Sequence, residues 1–205
     1  MKNRKSGDAG IKYDPAQVRI HEAYTVAIRD LGVHGEGIGR VDGFTVFVPG
    51  ALPGETVTVK ITLLKKSYAL GKLLSIEQES PFRMVPECSV YEHCGGCQLS
   101  HLTYEGQLDM KYRRAKDVIE RIAGESGDLV KPVLPAAHPF AYRNKMAVPA
   151  GLVKGKAALG CYRQGSHDII PVSSCAIQKE ENNRLLQFAR RFIEKYGISV
   201  YDEKT

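Results

Sequence analysis

The chain has 205 residues, of which 43% are hydrophobic and 25% charged, a balance that can fill the core of one large or two modest domains. Its net charge of +6 favours a polyanionic partner such as a nucleic acid. No apolar run is long enough to cross a bilayer, and residues 1–10 hold no signal-peptide core. We therefore expect a cytoplasmic protein with reduced thiols, no membrane partner and a monomeric state.

The first part of the chain predicts a basic arm followed by a small barrel. Residues 1–18 carry Lys2, Arg4, Lys5 and Lys12 with little apolar surface, which indicates a flexible arm. Short β-rich runs broken by glycine follow, and Asp42-Gly43 between two of them is a strong signal for a tight hairpin. Five strands in about sixty residues favour a closed barrel of the oligonucleotide-binding type. The predicted strands are residues 24–28, 38–41, 44–48, 56–64 and 70–76.

The second part predicts a mixed domain. An amphipathic helix is expected from about Leu108 to its end near Gly124, followed by a proline-rich connector over residues 130–140. Strands are predicted at residues 144–153, 156–163 and 168–172, forming an antiparallel meander. A second helix is predicted over residues 179–196, ending at Gly197. The residues expected on the inner side of this helix are Leu185, Leu186, Ala189, Phe192, Ile193 and Tyr196.

Three of the five cysteines lie within ten residues, at Cys88, Cys94 and Cys97. This Cys-x₅-Cys-x₂-Cys spacing around two glycines predicts a metal centre, because the three sulfurs converge without help from the rest of the fold. A fourth ligand must come from elsewhere, and either Cys161 or Cys175 can supply it. A set of four cysteines suits zinc or an iron–sulfur cluster, and the spacing does not separate the two.

Residues 30–55 resemble a TRAM domain, the RNA-binding barrel of several RNA-modifying enzymes. The resemblance implies that the glycine-rich residues 32–39 let the backbone approach a partner. It also implies a basic side of the barrel that contacts RNA phosphates, to which we assign Lys65, Lys66 and Lys72, with Lys60 nearby. In the second part, Tyr142, Arg143 and Lys145 combine a stacking ring with two cations and are predicted to bind unpaired RNA.

The barrel, the cysteine spacing and a distant cysteine within residues 172–177 together resemble the uracil-C5 RNA methyltransferases that depend on S-adenosylmethionine. In the iron–sulfur branch of that family four cysteines hold a [4Fe–4S] cluster, which implies Cys88, Cys94, Cys97 and Cys175 as ligands here. Cys161 matches no ligand position and is assigned as a small strand residue. His93 is assigned as an exposed neighbour of the cluster. The branch favours ribosomal over transfer RNA as the partner.

The resemblance also implies a catalytic domain that the chain does not contain. No residue matches the family's nucleophilic cysteine, its carboxylate base or a glycine-rich cofactor loop, so we assign no catalytic residue and expect S-adenosylmethionine only in the missing domain. The chain alone is expected to be inactive, with a structural cluster that joins residues 88–97 to the segment around Cys175.

The predicted fold is α+β, with three parts along the chain. A flexible basic arm (residues 1–18) precedes a five-stranded antiparallel TRAM barrel (19–78), and an iron–sulfur loop with a mixed domain of antiparallel strands and two helices follows (79–205). A non-enzymatic zinc-containing RNA-binding protein is the main alternative. A radical S-adenosylmethionine enzyme fits poorly because its motif has three and then two intervening residues. An electron-transfer protein fits poorly because the surroundings are basic.

Overall fold

The structure is a computed structural model that describes residues 18–200. The predicted basic arm therefore lies outside the described residues except for Val18, which is buried. The chain divides into two compact units between Pro81 and Phe82.

Five strands of the first unit form a closed barrel in the order β1-β2-β3-β5-β4, as the sequence predicts. The barrel is not wholly antiparallel, however, because β3 pairs with β5 in parallel while the other neighbouring strands pair antiparallel. Strand β5 stays paired with β4 along its length, and its first residues, 68–70, also pair with β3 through the other edge of the strand, which closes the sheet. The strands are β1 (Ala23–Leu31), β2 (Gly37–Val41), β3 (Phe44–Val48), β4 (Thr56–Leu64) and β5 (Tyr68–Gln78).

Alternating side chains of these strands fill the barrel, because successive residues of a strand point to opposite faces. Val46, Val57 and Val59 are completely buried, as are Ala51 and Ala69. The turn between β2 and β3 is the predicted one: Asp42 has φ 47° and Gly43 has φ 84°, the two positive values that a tight primed hairpin turn requires.

Gly39 has an internal packing role in the barrel. A Cβ at this position would collide with Cγ1 of Val26 and lie 2.8 Å from the carbonyl oxygen of Ala27, so only glycine lets β2 pass this close to β1. The structure therefore explains this glycine without the partner contact that the sequence suggested for residues 32–39.

The second unit contains two helices and a three-stranded antiparallel sheet in the order β6-β7-β8. Helix α1 begins after Thr103, whose hydroxyl accepts a hydrogen bond from the amide of Gly106, and it continues into a π-helical turn that ends at Gly124. The elements are α1 (Tyr104–Val118), the π turn (Ile119–Ala123), a 3₁₀ turn (Gly127–Leu129), β6 (Ala150–Val153), β7 (Lys156–Tyr162), β8 (Ile169–Pro171) and α2 (Glu180–Tyr196).

Two details of the second unit differ from the sequence prediction. Strand β6 begins at Ala150 instead of residue 144, although Met146 and Val148 just before it do pack against the core. The inner face of α2 is narrower than expected: Leu186, Ala189 and Ile193 contact the core. The sheet is too small to cover the remaining apolar side chains of the helix, and the exposed ones are Leu185, Phe188, Phe192 and Tyr196.

Gly160 in β7 should be essential to the second unit. A Cβ at this position would clash with the carbonyl oxygen of Ile170 and lie 3.0 Å from Cα of Pro171, and neither backbone group can move as a flexible side chain does. We expect Gly160→Ala to lower the free energy of unfolding by about 1–3 kcal/mol, measured by urea denaturation. The control Ala157→Gly in the same strand should cost only about 0.5–1 kcal/mol. Equal losses for the two variants would contradict this account.

Candidate functional site

All five cysteines line one cavity of about 360 Å³ in the second unit. They come from three places in the chain: the loop at residues 88–97, strand β7 and the segment after β8. The rest of the lining is mainly apolar, and its only charged side chains are Arg143 and Lys145. The lining residues are Cys88, Val90, Tyr91, Cys94, Gly96, Cys97, Arg143, Lys145, Met146, Ala147, Val148, Cys161, Val172, Cys175, Ile177 and Gln178.

Hydrogen bonds within residues 88–101 stabilise the loop that carries the first three cysteines. The amide of Cys94 donates to the carbonyl of Val90 at 2.8 Å, and the amide of Gly96 donates to Sγ of Cys94 at 3.4 Å. The Tyr91 hydroxyl lies 2.9 Å from the carbonyl oxygen of Gln98 and also hydrogen-bonds Nδ1 of His101. These contacts hold the loop in a closed conformation.

Strand β7 brings Cys161 to the same cavity. The loop pairs with the end of this strand, since Cys94 forms an antiparallel bridge with Arg163 and the amide of Gly95 donates to the carbonyl of Tyr162 at 2.9 Å. The Cys161 thiol hydrogen-bonds the side chain of Cys94. The sequence left Cys161 as a candidate for the fourth ligand, and the family resemblance assigned it as a small strand residue; its contact with the loop depends on tertiary structure and has no sequence signal.

Cys175 is held by α2. The amide of Cys175 donates to Oδ1 of Asn183 at 2.9 Å, and Nδ2 of Asn183 donates to the Cys175 carbonyl at 3.3 Å. Asn183 is buried in the first turn of the helix, so its two bonds fix the backbone of this cysteine. Sequence reasoning missed Asn183, because nothing in the sequence indicates that an asparagine near the start of a helix binds the backbone of a cysteine eight residues earlier.

The thiols are electrostatically close to one another. Burial raises the pKa of Cys97, and neighbouring Cys175, Cys94 and Cys88 raise this pKa further, while a hydrogen bond with Ser100 opposes them. Burial also raises the pKa of Cys161 to about 12, with Cys94 as the next largest cause. Besides burial, Cys161 and Cys97 thus each have a pKa raised by three other cysteines, which shows that all five thiols interact.

Within residues 18–200, no three His, Cys, Asp or Glu side chains are gathered into a ready metal site. The five cysteines are free and only partly buried. The structure thus brings the four predicted ligands Cys88, Cys94, Cys97 and Cys175 to one cavity without closing them around a single point. His93 lies outside the lining of this cavity.

The residues predicted to bind RNA in the second unit fall into two groups. Tyr142 is 64% exposed and does not line the cysteine cavity. Arg143 and Lys145 are exposed as well, but both line that cavity. Their assignment to RNA stays a prediction, and the structure gives them neighbours that the sequence did not suggest.

In the first unit the predicted lysines lie on the outside of the barrel. Lys65 and Lys66 are in the turn between β4 and β5, and Lys72 is directly opposite Lys60 across these two strands. All four are exposed. The rings of Phe47 and Tyr68 meet edge to face, with centroids 5.5 Å apart. Because Ala69 points inward, Tyr68 and Lys72 share the outer face.

The sequence was compared with known families and curated proteins. Residues 16–74 match the TRAM domain. A Bacillus cereus (strain ATCC 10987) protein described as an RNA methyltransferase is 48% identical over 187 residues, which are 91% of this chain and 41% of the relative. A Clostridium tetani protein with the same description is 43% identical over 91% of this chain and 40% of the relative. The chain therefore spans about two-fifths of the length of these relatives.

Among solved structures, the chain is similar to the tRNA (uracil-54, C5)-methyltransferase of Pyrococcus abyssi, solved in complex with S-adenosyl-L-homocysteine. The TM-score is 0.65 and the identity 25%, over 88% of this chain and 39% of the archaeal one. Neither helix α1 nor α2, nor any other helix among the described residues, is long and apolar enough to span a membrane. By its TRAM domain, its relatives and its fold, the chain is similar to part of the RNA methyltransferases, among them a tRNA (uracil-54, C5)-methyltransferase.

Proposed function

We propose that this chain is the RNA-binding, cluster-holding part of a methyltransferase that uses S-adenosylmethionine to form 5-methyluridine in ribosomal RNA. The observation that carries the proposal is the convergence of all five cysteines on one cavity in a chain that also has a TRAM domain. The choice of ribosomal RNA follows from the iron–sulfur branch that the cysteine spacing resembles. Free cysteines suit a reducing compartment, and we accordingly propose a cytoplasmic location.

The cavity fits a [4Fe–4S] cluster better than a zinc ion. Four thiolates on one zinc lie about 2.3 Å from the metal, which places the sulfurs about 3.8 Å from one another. The cavity of about 360 Å³ has more room than a single ion needs. A cluster brings its own iron and sulfide atoms, so its ligands stand farther apart. Cys88, Cys94, Cys97 and Cys175 would hold it.

The role proposed for the cluster is structural. Cys88, Cys94 and Cys97 lie on one loop, and Cys175 lies beyond β8, next to the start of α2. Bonds from one inorganic core to both segments would fix the loop against the sheet and helix of the same unit. The Gly96 amide already donates to the sulfur of Cys94, an interaction of the kind that stabilises thiolates bound to iron.

The outer face of the barrel is the proposed RNA surface. Lys60 and Lys72 are directly opposite each other, and like charges in this position are unfavourable unless an anion lies between or above them. The turn lysines Lys65 and Lys66 extend the positive charge. The rings of Phe47 and Tyr68 add a surface on which a base can stack. In the second unit, exposed Tyr142 is the proposed stacking residue.

Methyl transfer is proposed to take place in the part of the relatives that this chain does not match. S-adenosylmethionine, when bound there, supplies the methyl group. We assign no catalytic role to residues of this chain. Their part in the reaction is to bind RNA and to keep the cysteine-lined unit in one conformation.

Anaerobic reconstitution with ferrous iron and sulfide tests the cluster. We expect about four irons and four sulfides per chain, a broad visible absorbance, and a higher Tm than the metal-free chain. Reconstitution with zinc alone is the control and should give weaker stabilisation. Tight binding of one zinc, with no sulfide retained, would instead support the zinc-containing RNA-binding protein.

A further inference from the structure

The charged residues that line the cysteine cavity are all positive. Besides the thiols the lining contains two cations, Arg143 and Lys145, and no Asp or Glu. The overall net charge of +6 does not by itself explain the absence of carboxylates from the lining, because the chain has 23 acidic residues. A cavity with cations and thiols but no carboxylate is suited to an anionic occupant.

The backbone that carries the two cations is tied to the segment that follows Cys175. The amide of Arg143 donates to the carbonyl of Ile177 at 2.8 Å, and the carbonyl of Arg143 accepts from the amide of Lys179 at 3.2 Å. Nε2 of Gln178 donates to the carbonyl of Lys145 at 3.2 Å, while the amide of Gln178 donates to the carbonyl of Cys175 at 3.0 Å.

These hydrogen bonds fix the backbone from which the two cations extend before any ligand binds. Gln178 is buried, so the link from Cys175 to Lys145 passes through a fixed side chain. Asn182 adds a second connection, because its Nδ2 donates to the carbonyl of Asn144 at 3.1 Å, between the two cations in sequence. Hydrogen bonds therefore connect the backbone of Cys175 with the backbone of residues 143–145, which carries the two cations.

Four cysteine thiolates contribute four negative charges, and the iron–sulfide core offsets only part of them, so the proposed cluster with its ligands is anionic. Net charge and neighbouring groups are among the factors that set the reduction potential of such clusters. Adding an electron makes the assembly more negative, and nearby cations therefore favour the reduced form more than the oxidised form.

We propose that Arg143 and Lys145 are the counter-charges of this cluster, and not contacts to RNA as the sequence suggested. The inference rests on the proposed function, because it needs a cluster in the cavity. It assigns the two residues as positioning residues that stabilise an anionic group, while RNA is bound by the barrel lysines and Tyr142.

The test compares Arg143→Gln/Lys145→Gln with Lys154→Gln/Lys156→Gln in the anaerobically reconstituted full chain. The control pair removes the same charge from exposed Lys154, in the turn after β6, and exposed Lys156, the first residue of β7, neither of which lines the cavity. We expect the first pair to lose iron to a chelator about tenfold faster than the control pair. Its reduction potential should fall by about 60 mV, the equivalent of a tenfold change for one electron.

Charge-conserving Arg143→Lys/Lys145→Arg keeps the test decisive if the glutamine pair takes up no cluster. Restored uptake in this variant supports a counter-charge role. Potentials and iron-loss rates equal to the control, together with a selective loss of RNA affinity, would overturn the inference and return both residues to the RNA surface. A wild-type chain that retains no iron and sulfide would overturn the proposed function itself, which separates the two failures.

Discussion

The Cys175→Ser variant is expected to retain fewer than about one iron per chain after reconstitution, against about four for the wild type. Cys161→Ser is expected to retain the full cluster. Iron and acid-labile sulfide are measured per chain, together with the visible absorbance. Each variant replaces one sulfur atom of the wild type by oxygen, and both replacements lie in the same cavity. Each variant is therefore a matched control for the other.

The physical reason lies in how the two cysteines are held. Both bonds from Asn183 fix the backbone of Cys175. Burial raises the pKa of the Cys97 thiol, and Cys175, Cys94 and Cys88 raise it further. Burial and, after it, Cys94, Cys175 and Cys97 raise the pKa of Cys161. Cys88, Cys94, Cys97 and Cys175, the set that the family resemblance implies, are the four expected to share one core.

Cluster retention in Cys175→Ser with loss in Cys161→Ser would show that the fourth ligand is Cys161. Loss in both variants would mean that the cavity requires all five sulfurs. Either result contradicts the ligand set derived from the family resemblance. A Cys94→Ser variant that kept both its Tm and its colour would show that Cys94 is not a ligand, and the assignment of the loop cysteines would be wrong.

Replacing Lys65, Lys66 and Lys72 together by glutamine should weaken RNA binding about a hundredfold, if each lysine contributes about 1 kcal/mol through a phosphate contact. Since each contact releases counterions, the slope of log affinity against log salt concentration should also become shallower by about 2–3. Fluorescence anisotropy with a labelled single-stranded ribosomal RNA fragment, over a series of salt concentrations, measures both quantities.

The control for this prediction is the variant Lys131→Gln/Lys154→Gln/Lys156→Gln. It removes the same net charge from exposed positions in the second unit. Its salt slope should stay within about 1 of the wild type. Equal weakening by both triple variants would show that RNA responds to overall charge and not to the barrel face. A wild-type affinity that does not change with salt would exclude RNA phosphates as the ligand.

The barrel was predictable because its signals are local. Alternating buried positions fixed the faces of β4, whose predicted and observed bounds are the same, and Asp42-Gly43 fixed the turn between β2 and β3. The parallel pairing of β3 with β5 was not predictable, because it follows from how the sheet closes and leaves no mark in either strand.

The second unit was less predictable, because tertiary packing overrides its patterns. The apolar stripe of α2 is wider than the face that the small sheet covers, so Leu185 and Tyr196 were placed inside by periodicity but are exposed. Residues before β6 are apolar enough to resemble a strand, yet they end at Pro149 and lie outside the named strands.

For the candidate site, spacing within the loop identified Cys88, Cys94 and Cys97, and the family resemblance added Cys175. The remaining features required coordinates. The positions of Cys161, Asn183 and Lys145 at or near the cavity depend on contacts between segments far apart in sequence. Phe47 and Tyr68 were missed for the same reason, since neither ring is notable until β3 and β5 pair.

The division of the cysteine cavity between distant segments affects how the protein matures during synthesis. Cys97 leaves the ribosome about 80 residues before Cys175. At about 5–20 residues per second, the first three thiols emerge roughly 4–16 s before the fourth. For the proposed cluster, an iron–sulfur donor acting on the nascent chain would meet an incomplete set of ligands, and stable insertion would follow only after translation has passed α2.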